Sequence, residues 1–468
     1  MTSASLALRS LFEAQRAASR SQPPADLALR RDRLQRLRAL LGTDGPPLVR
    51  AVEADFGVRS ATLTEIADLL LLREGLADAQ RHLARWSAPR RVRTPLTLQP
   101  ARAWVQRQPV GVVGVLSPWN YPLLLSLGPA GMALAAGNRV MLKPSERTPR
   151  CSDAIAEAVA RRFAPDEFTV TNGDAALAAE FSALPFDHLF FTGSTAVGRH
   201  VAAAAAANLT PTTLELGGKS PCVIDASCRP DAVASRIAHG KLLNAGQTCI
   251  APDYVLAPAA LHGALADALA AAVQRLFPTV AGNPDYTALV DARQAQRLQA
   301  LVDDAVAQGA QVRVLGTDAP AGRQMALRLV LGAKPGMALM QEEIFGPVLP
   351  VLDCADTATA IRFINDRPRP LALYWFGEDT RARDALLAGT VSGGVTVNDT
   401  LVHIAHPGLP FGGVGDSGWG ASHGEAGFLR FTHERAVLVQ SRWSLGGLMH
   451  PPYGPRTERL LAFMRRRG

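Results

Sequence analysis

The sequence predicts an α/β protein with two successive strand–helix alternations and a small hairpin lying outside both. From Val110 onward, short apolar runs alternate with helical stretches, the pattern of a parallel sheet with helices on both faces. A second alternation of the same kind runs from Pro221 to about Asn398. Ahead of the first one, residues 89–107 break all helical periodicity with prolines and alternating Leu and Thr.

In chain order, residues 26–56 and 62–86 read as amphipathic helices, with Leu, Ile and Ala recurring at helical spacing. Residues 89–107 read as a hairpin at a subunit contact. Strands are predicted at 110–116, 139–143, 168–171, 188–192 and 212–216, with helices at 148–163 and 196–208 between them. The second alternation carries long helices at 261–276 and 292–308 and ends on a strand at 395–398. After Gly427 the chain reads as a strand pair followed by a tail. At 468 residues the chain exceeds what one core usually supports, so sub-domains are expected. The division is 1–88 with 108–216, then 217–398, then 89–107 with 427–468.

Composition excludes several classes. A hydrophobic fraction of 48% with 19% charged residues describes an ordinary globular chain, not a disordered one. No apolar run reaches the roughly 18 residues of a membrane helix. The best candidate, 123–136, is short and interrupted by Ser126, Gly128 and Pro129. The net charge of +8 comes from arginines dispersed among acids, which describes a solvated surface and not a nucleic-acid footprint. Five cysteines without CxxC spacing read as reduced thiols in a cytosolic setting. Only four lysines occur (Lys143, Lys219, Lys241 and Lys334), so each is a candidate for a place where a compact ammonium is needed.

Two segments carry chemistry together. Asn244-Ala-Gly-Gln-Thr-Cys249 supplies a thiol and Leu214-Glu215-Leu-Gly-Gly-Lys219 a carboxylate, each among small neighbours that leave reactive atoms accessible. A nucleophile with a general base is the arrangement of covalent catalysis. Ser117-Pro-Trp-Asn120-Tyr-Pro122 ends the first predicted strand, where an amide donor such as Asn120 can stabilise a developing oxyanion. His188-Leu-Phe-Phe-Thr-Gly193-Ser194-Thr-Ala-Val-Gly198 runs from a strand into a helix whose N-terminus suits a pyrophosphate. Gly193 would allow close backbone approach there, and Ser194 or Thr195 would cap the helix. The literal GxGxxG at Gly413–Gly418 follows prolines, not a strand, and is rejected as a dinucleotide site.

These motifs, with Gln341-Glu-Glu-Ile-Phe-Gly-Pro347, resemble the aldehyde dehydrogenase superfamily over about residues 10–440. The intervals of 95 residues from Asn120 to Glu215 and 34 from Glu215 to Cys249 resemble its class 3 branch. Gly240-Lys-Leu-Leu-Asn244 and Thr248-Cys-Ile-Ala-Pro-Asp253 are similar to coniferyl-aldehyde dehydrogenases within it. Trp419 and Ser422 depart from that branch, which more often has Met and Tyr there.

The resemblance implies an aldehyde dehydrogenase-like fold: a Rossmann-type cofactor domain, an α/β catalytic domain and an oligomerisation hairpin. It implies NAD(P)-dependent oxidation of an aromatic or medium-chain aldehyde to the acid, with Cys249 as nucleophile, Glu215 as base and Asn120 as oxyanion donor. Lys143 and Glu146 would meet the adenosine ribose, and Gly193, Ser194 and Gly198 would cradle the pyrophosphate. Glu343 would meet the nicotinamide ribose and Phe345 its ring. Tyr121, Phe411 and His423 would face substrate. NAD is the expected cofactor, with NADP as the alternative, and no metal is expected. A cytoplasmic homodimer without a leader is expected, because Phe12-Glu-Ala-Gln-Arg16 resembles the first helix of a mature class 3 enzyme. The rivals are an acylating dehydrogenase, which needs no water-activating carboxylate, and a non-catalytic cofactor-binding protein.

Overall fold

The computed structural model describes residues 3–318 and 323–466. Its strands form three sheets. The first has five parallel strands in the order Thr212–Leu216, His188–Gly193, Val112–Leu116, Arg139–Lys143, Phe168–Val170, with Gly418–Trp419 added antiparallel at one edge. Every residue of Val112–Leu116 and Arg139–Lys143 is buried, as strands covered on both faces require. Strand order reverses between Val112–Leu116 and His188–Gly193, and ligands of such Rossmann-type sheets bind beyond the strand ends at that reversal. The helix Leu124–Ala135 is apolar on all sides and buried along nearly its whole length.

The second sheet has seven strands. Leu327–Leu331, Val348–Asp353, Tyr254–Ala257, Pro221–Ile224, Ala372–Phe376 and Gly394–Val397 run parallel, and Gln311–Leu315 is antiparallel at the edge. A third, three-stranded antiparallel sheet pairs Arg90–Val92 and Thr432–Val439 with the two edges of Arg102–Pro109. None of its residues is fully buried.

Three expectations need correction. Residues 26–56 form two helices, Leu27–Thr43 and Gly45–Phe56, because Asp44 ends the first and the prolines after Gly45 can only start another. The helical run at 62–86 contains a π-helical turn, Glu65–Leu70, between Ala61–Thr64 and Leu71–Ser87. After Gly427 there is no strand pair. A helix, Gly424–Arg430, leads into the single strand Thr432–Val439, whose partner lies more than 300 residues earlier, and the tail carries the helix Pro455–Arg465. Strand pairing over that separation leaves no local signal in the sequence.

Among the described residues, no helix is long and apolar enough to cross a membrane, and no group of three His, Cys, Asp or Glu is placed to hold a metal.

Candidate active site

Cys249 is half-buried, whereas the other four cysteines are buried and all five are free thiols. It follows a turn in which Asn244, Ala245 and Gly246 all have positive φ, at 53°, 53° and 76°. Left-handed backbone costs roughly 1–2 kcal/mol at each non-glycine residue, so surrounding bonds must hold this turn in place. The Asn244 amide donates to the carbonyls of Asn120 and Gln247 at 3.0 and 3.3 Å. Gln247 in turn donates to Ala288 O at 3.1 Å and accepts from Val290 N at 2.8 Å. Burial pushes the Cys249 thiol up, and the carboxylates of Glu343 and Glu215 push it further, against the backbone N–H groups of Cys249 and Ile250.

Asn120 is 3% exposed, and its Nδ2 donates to Gln247 O at 3.0 Å. The predicted oxyanion donor and the predicted nucleophile's loop are therefore joined directly. The hydroxyl of Tyr121 lies 2.6 Å from Thr248 Oγ1, beside Cys249 in sequence.

Glu215 sits in the strand Thr212–Leu216, in register with Thr192 on one side and Gly418 on the other. Burial raises its carboxyl to about 7, although the Ser422 and Thr192 hydroxyls pull the other way, and Oε1 has no hydrogen-bond partner. Gly418, the last glycine of Gly413–Gly418, packs this edge. A Cβ on Gly418 would lie 1.9 Å from Leu214 O.

An apolar cavity opens at Glu215 between the helices Leu71–Ser87 and Leu124–Ala135, with Leu72, Leu125, Met132 and Ile404 on its walls. Phe411, Ser422 and His423 share it. Phe411 is stacked with His403 and His423, at centroid distances of 6.0 and 5.5 Å. Burial lowers both histidines to about 4, so they are neutral near pH 7. Cys249, Asn120 and Tyr121 do not line this cavity and form a neighbouring cluster.

Gly193 ends one of the two strands that flank the strand-order reversal, and Lys143 ends the strand next to the other. Ser194 accepts from Val197 N at 3.4 Å and so caps the helix Thr195–Ala206. Gly198 lets that helix approach the sheet, since a Cβ there would lie 2.5 Å from Leu216. A Cβ on Gly193 would strike the Phe191 ring. Lys143 ends its strand 2% exposed, with Nζ donating to Pro144 O at 3.0 Å and Glu146 3.7 Å away. Burial raises the Glu343 carboxyl to about 8, Asp253 raises it further, and the Gly218 N–H and Lys219 oppose the shift. Phe345 has φ 51° and meets Trp119 edge-on at 5.6 Å. A capped helix N-terminus, a buried ammonium and a half-buried carboxylate are the chemistry that a dinucleotide needs.

Sequence reasoning missed Arg59, Asp68, Gln247 and His403. Arg59 and Asp68 lie in no motif, and Gln247 lies inside one that gives no sign of its role. Of the four lysines, Lys219 meets the expectation best, since its ammonium pairs with Asp253 and donates to Leu339 O and Glu342 O at 2.7 and 2.9 Å. Among the described residues the buried Lys241 Nζ has no hydrogen-bond partner, and Lys334 is exposed.

The model of the aldehyde dehydrogenase family matches residues 4–437. The chain belongs to that family. This aldehyde dehydrogenase is 46% identical to a probable coniferyl aldehyde dehydrogenase of Pseudomonas aeruginosa, over 97% of its own length and 95% of the relative's. It is 38% identical to a dimeric NADP-preferring aldehyde dehydrogenase of Rattus norvegicus, over 91% and 93% of the two chains. Among solved structures, the substrate-bound state of Staphylococcus aureus AldH is similar with a TM-score of 0.93 at 34% identity, over 98% and 99% of the chains. As a member of this family, the aldehyde dehydrogenase oxidises an aldehyde to the carboxylic acid with NAD(P), and the acylating and non-catalytic alternatives are not favoured.

Proposed function

We propose that Cys249, Asn120 and Glu215 carry the reaction and that the substrate is an aromatic or medium-chain aldehyde of the coniferaldehyde kind. The observation that carries the substrate class is the apolar cavity ending at Glu215, which offers aliphatic walls and no charged partner other than carboxylates. The name of the Pseudomonas aeruginosa relative supports the same choice.

In this reading the Cys249 thiol gives up its proton to solvent water and the thiolate attacks the carbonyl carbon, forming a thiohemiacetal. The Asn120 amide and the Cys249 N–H stabilise its oxygen, which requires Asn120 Nδ2 to leave or share Gln247 O. The chemistry that NAD(P) would supply when bound is acceptance of the hydride from the former aldehyde carbon. The resulting thioester stays on Cys249. Glu215, poised at about 7 by burial, takes a proton from water so that the oxygen attacks the thioester and releases the acid. Lys143 and Glu146 would hold the adenosine ribose, Gly193 and Ser194 would receive the pyrophosphate, with Gly198, whose N–H is bonded to Ser194 O, setting the helix against the sheet, and Glu343 and Phe345 would flank the nicotinamide. Phe411 and His423 shape the aldehyde site, and Tyr121 supports it through Thr248.

The protein works as a homodimer joined through the three-stranded sheet, where Val92, Leu438 and Val439 are exposed apolar side chains. The Rattus norvegicus relative is named as dimeric. The same sheet and the tail form the third unit, beside cofactor and catalytic units at 1–88 with 108–216 and at 217–398. Five free thiols support a reducing, cytoplasmic setting.

NADH formation followed by absorbance with coniferaldehyde, benzaldehyde and a short aliphatic aldehyde tests the substrate class. A higher kcat/KM for acetaldehyde than for the two aromatic aldehydes would refute it.

A further inference from the structure

Arg59 lies in the loop between the helices Gly45–Phe56 and Ala61–Thr64, 1% exposed. Its guanidinium spends every nitrogen. Nη2 bonds Asp68 Oδ2 at 2.6 Å, Nε donates to Thr64 Oγ1 at 3.3 Å, and Nη1 donates to Asn120 O at 2.6 Å and Asn244 Oδ1 at 3.2 Å. Both side chains of the ion pair are fully buried. Asp68 belongs to the π-helical turn, a distortion often found at functional sites. Its second oxygen accepts from Leu123 N and Leu124 N at 3.2 and 3.0 Å.

The pair thus grips the segment around Asn120 from both sides: Arg59 on the carbonyl of Asn120, Asp68 on the N–H groups three and four residues later. Through Asn244 it also grips the left-handed turn before Cys249, because the same Asn244 side chain that accepts from Arg59 donates to Asn120 O and Gln247 O. We propose that Arg59 and Asp68 are positioning residues: their ion pair fixes Asn120 against the Cys249 loop and so sets the rate of the chemical step without touching substrate or cofactor. This rests on the reading of Cys249 and Asn120 given above.

A purely stabilising role explains the pair less well. Desolvating two charges offsets most of their attraction, and well-packed apolar residues serve stability as well or better. What an apolar pair cannot do is hold a carbonyl and an amide oxygen in one planar fork. A lysine keeps the charge but not the fork.

The test uses Arg59→Met combined with Asp68→Leu, and separately Arg59→Lys, each measured by the pre-steady-state burst of NADH. Loss of folded protein lowers burst amplitude, whereas mispositioning lowers burst rate in the molecules that remain active. The expected result is a burst rate reduced on the order of 100-fold in both variants, the scale of a misplacement of about 1 Å. NADH binding, followed by fluorescence titration, should be unchanged. A wild-type burst rate in a folded double variant overturns the proposal. Should that variant not fold, a wild-type burst rate in Arg59→Lys overturns it equally. Cys249→Ser runs in parallel: a retained burst there means that the reading of the site has failed, and a silent one confines any failure to the Arg59–Asp68 role.

Discussion

Gly217 and Glu343 approach so closely that a Cβ on Gly217 would lie 1.9 Å from Glu343 Oε2. Gly217 comes two residues after Glu215, and Glu343 belongs to the segment predicted to meet the nicotinamide ribose. One glycine therefore sets where that carboxylate rests. Gly217→Ala should push aside only the end of a flexible side chain, leaving the melting temperature nearly unchanged. The KM for NAD should rise severalfold, because burial keeps Glu343 largely protonated near pH 7 and a neutral hydrogen bond is worth about 0.5–1.5 kcal/mol. An unchanged KM with unchanged kcat would remove Glu343 from the cofactor site.

Cys249→Ser should abolish oxidation while NAD binding persists, since a hydroxyl is a far weaker nucleophile near neutral pH. Iodoacetamide should label Cys249 ahead of the four buried cysteines, and peptide mapping would show it. With burial and two carboxylates raising the thiol, labelling of the cofactor-free enzyme should accelerate as pH rises. Full activity in the serine variant would end the mechanism.

Glu215→Gln should keep a burst of NADH and lose steady turnover, by on the order of 100- to 10,000-fold. Wild-type turnover, where deacylation limits, should rise with pH through about 7, because only the ionised carboxylate takes a proton from water. The linkage has the opposite sign. A carboxyl raised from 4.5 to about 7 binds its proton more tightly when folded, so its contribution to stability is full below 4.5 and is lost as pH rises towards 7. Glu215→Gln should therefore melt higher than wild type at pH 8. A lower melting temperature there would contradict the burial argument.

Glu146→Gln should lower the KM for NADP more than that for NAD, since in the proposed site Glu146 would repel a 2′-phosphate and Lys143, 3.7 Å from it, would attract it. Lys143→Ala should weaken both cofactors, NADP more. If the KM for NADP does not move in Glu146→Gln at fixed ionic strength, this carboxylate does not face the adenosine ribose.

Local sequence alone encodes the α/β class, both alternations and the predicted strands at 139–143 and 212–216, whose bounds the structure repeats. Buried parallel strands are continuous apolar runs, and such runs are local information. The motifs that carry Cys249, Glu215 and Asn120 were legible for the same reason, because reactive side chains among small residues leave a short-range signature. Tertiary structure decided what local pattern cannot encode. It placed Thr432–Val439 against Arg102–Pro109 and Gly418 beside Glu215. It carried Arg59, an unremarkable arginine in a loop, to the carbonyl of Asn120 and the amide of Asn244. It also raised the Glu215 carboxyl to about 7, since that shift comes from burial among chain segments far apart in sequence. Hydrogen bonds and desolvation depend on what surrounds a group in space, and only the folded chain supplies those surroundings.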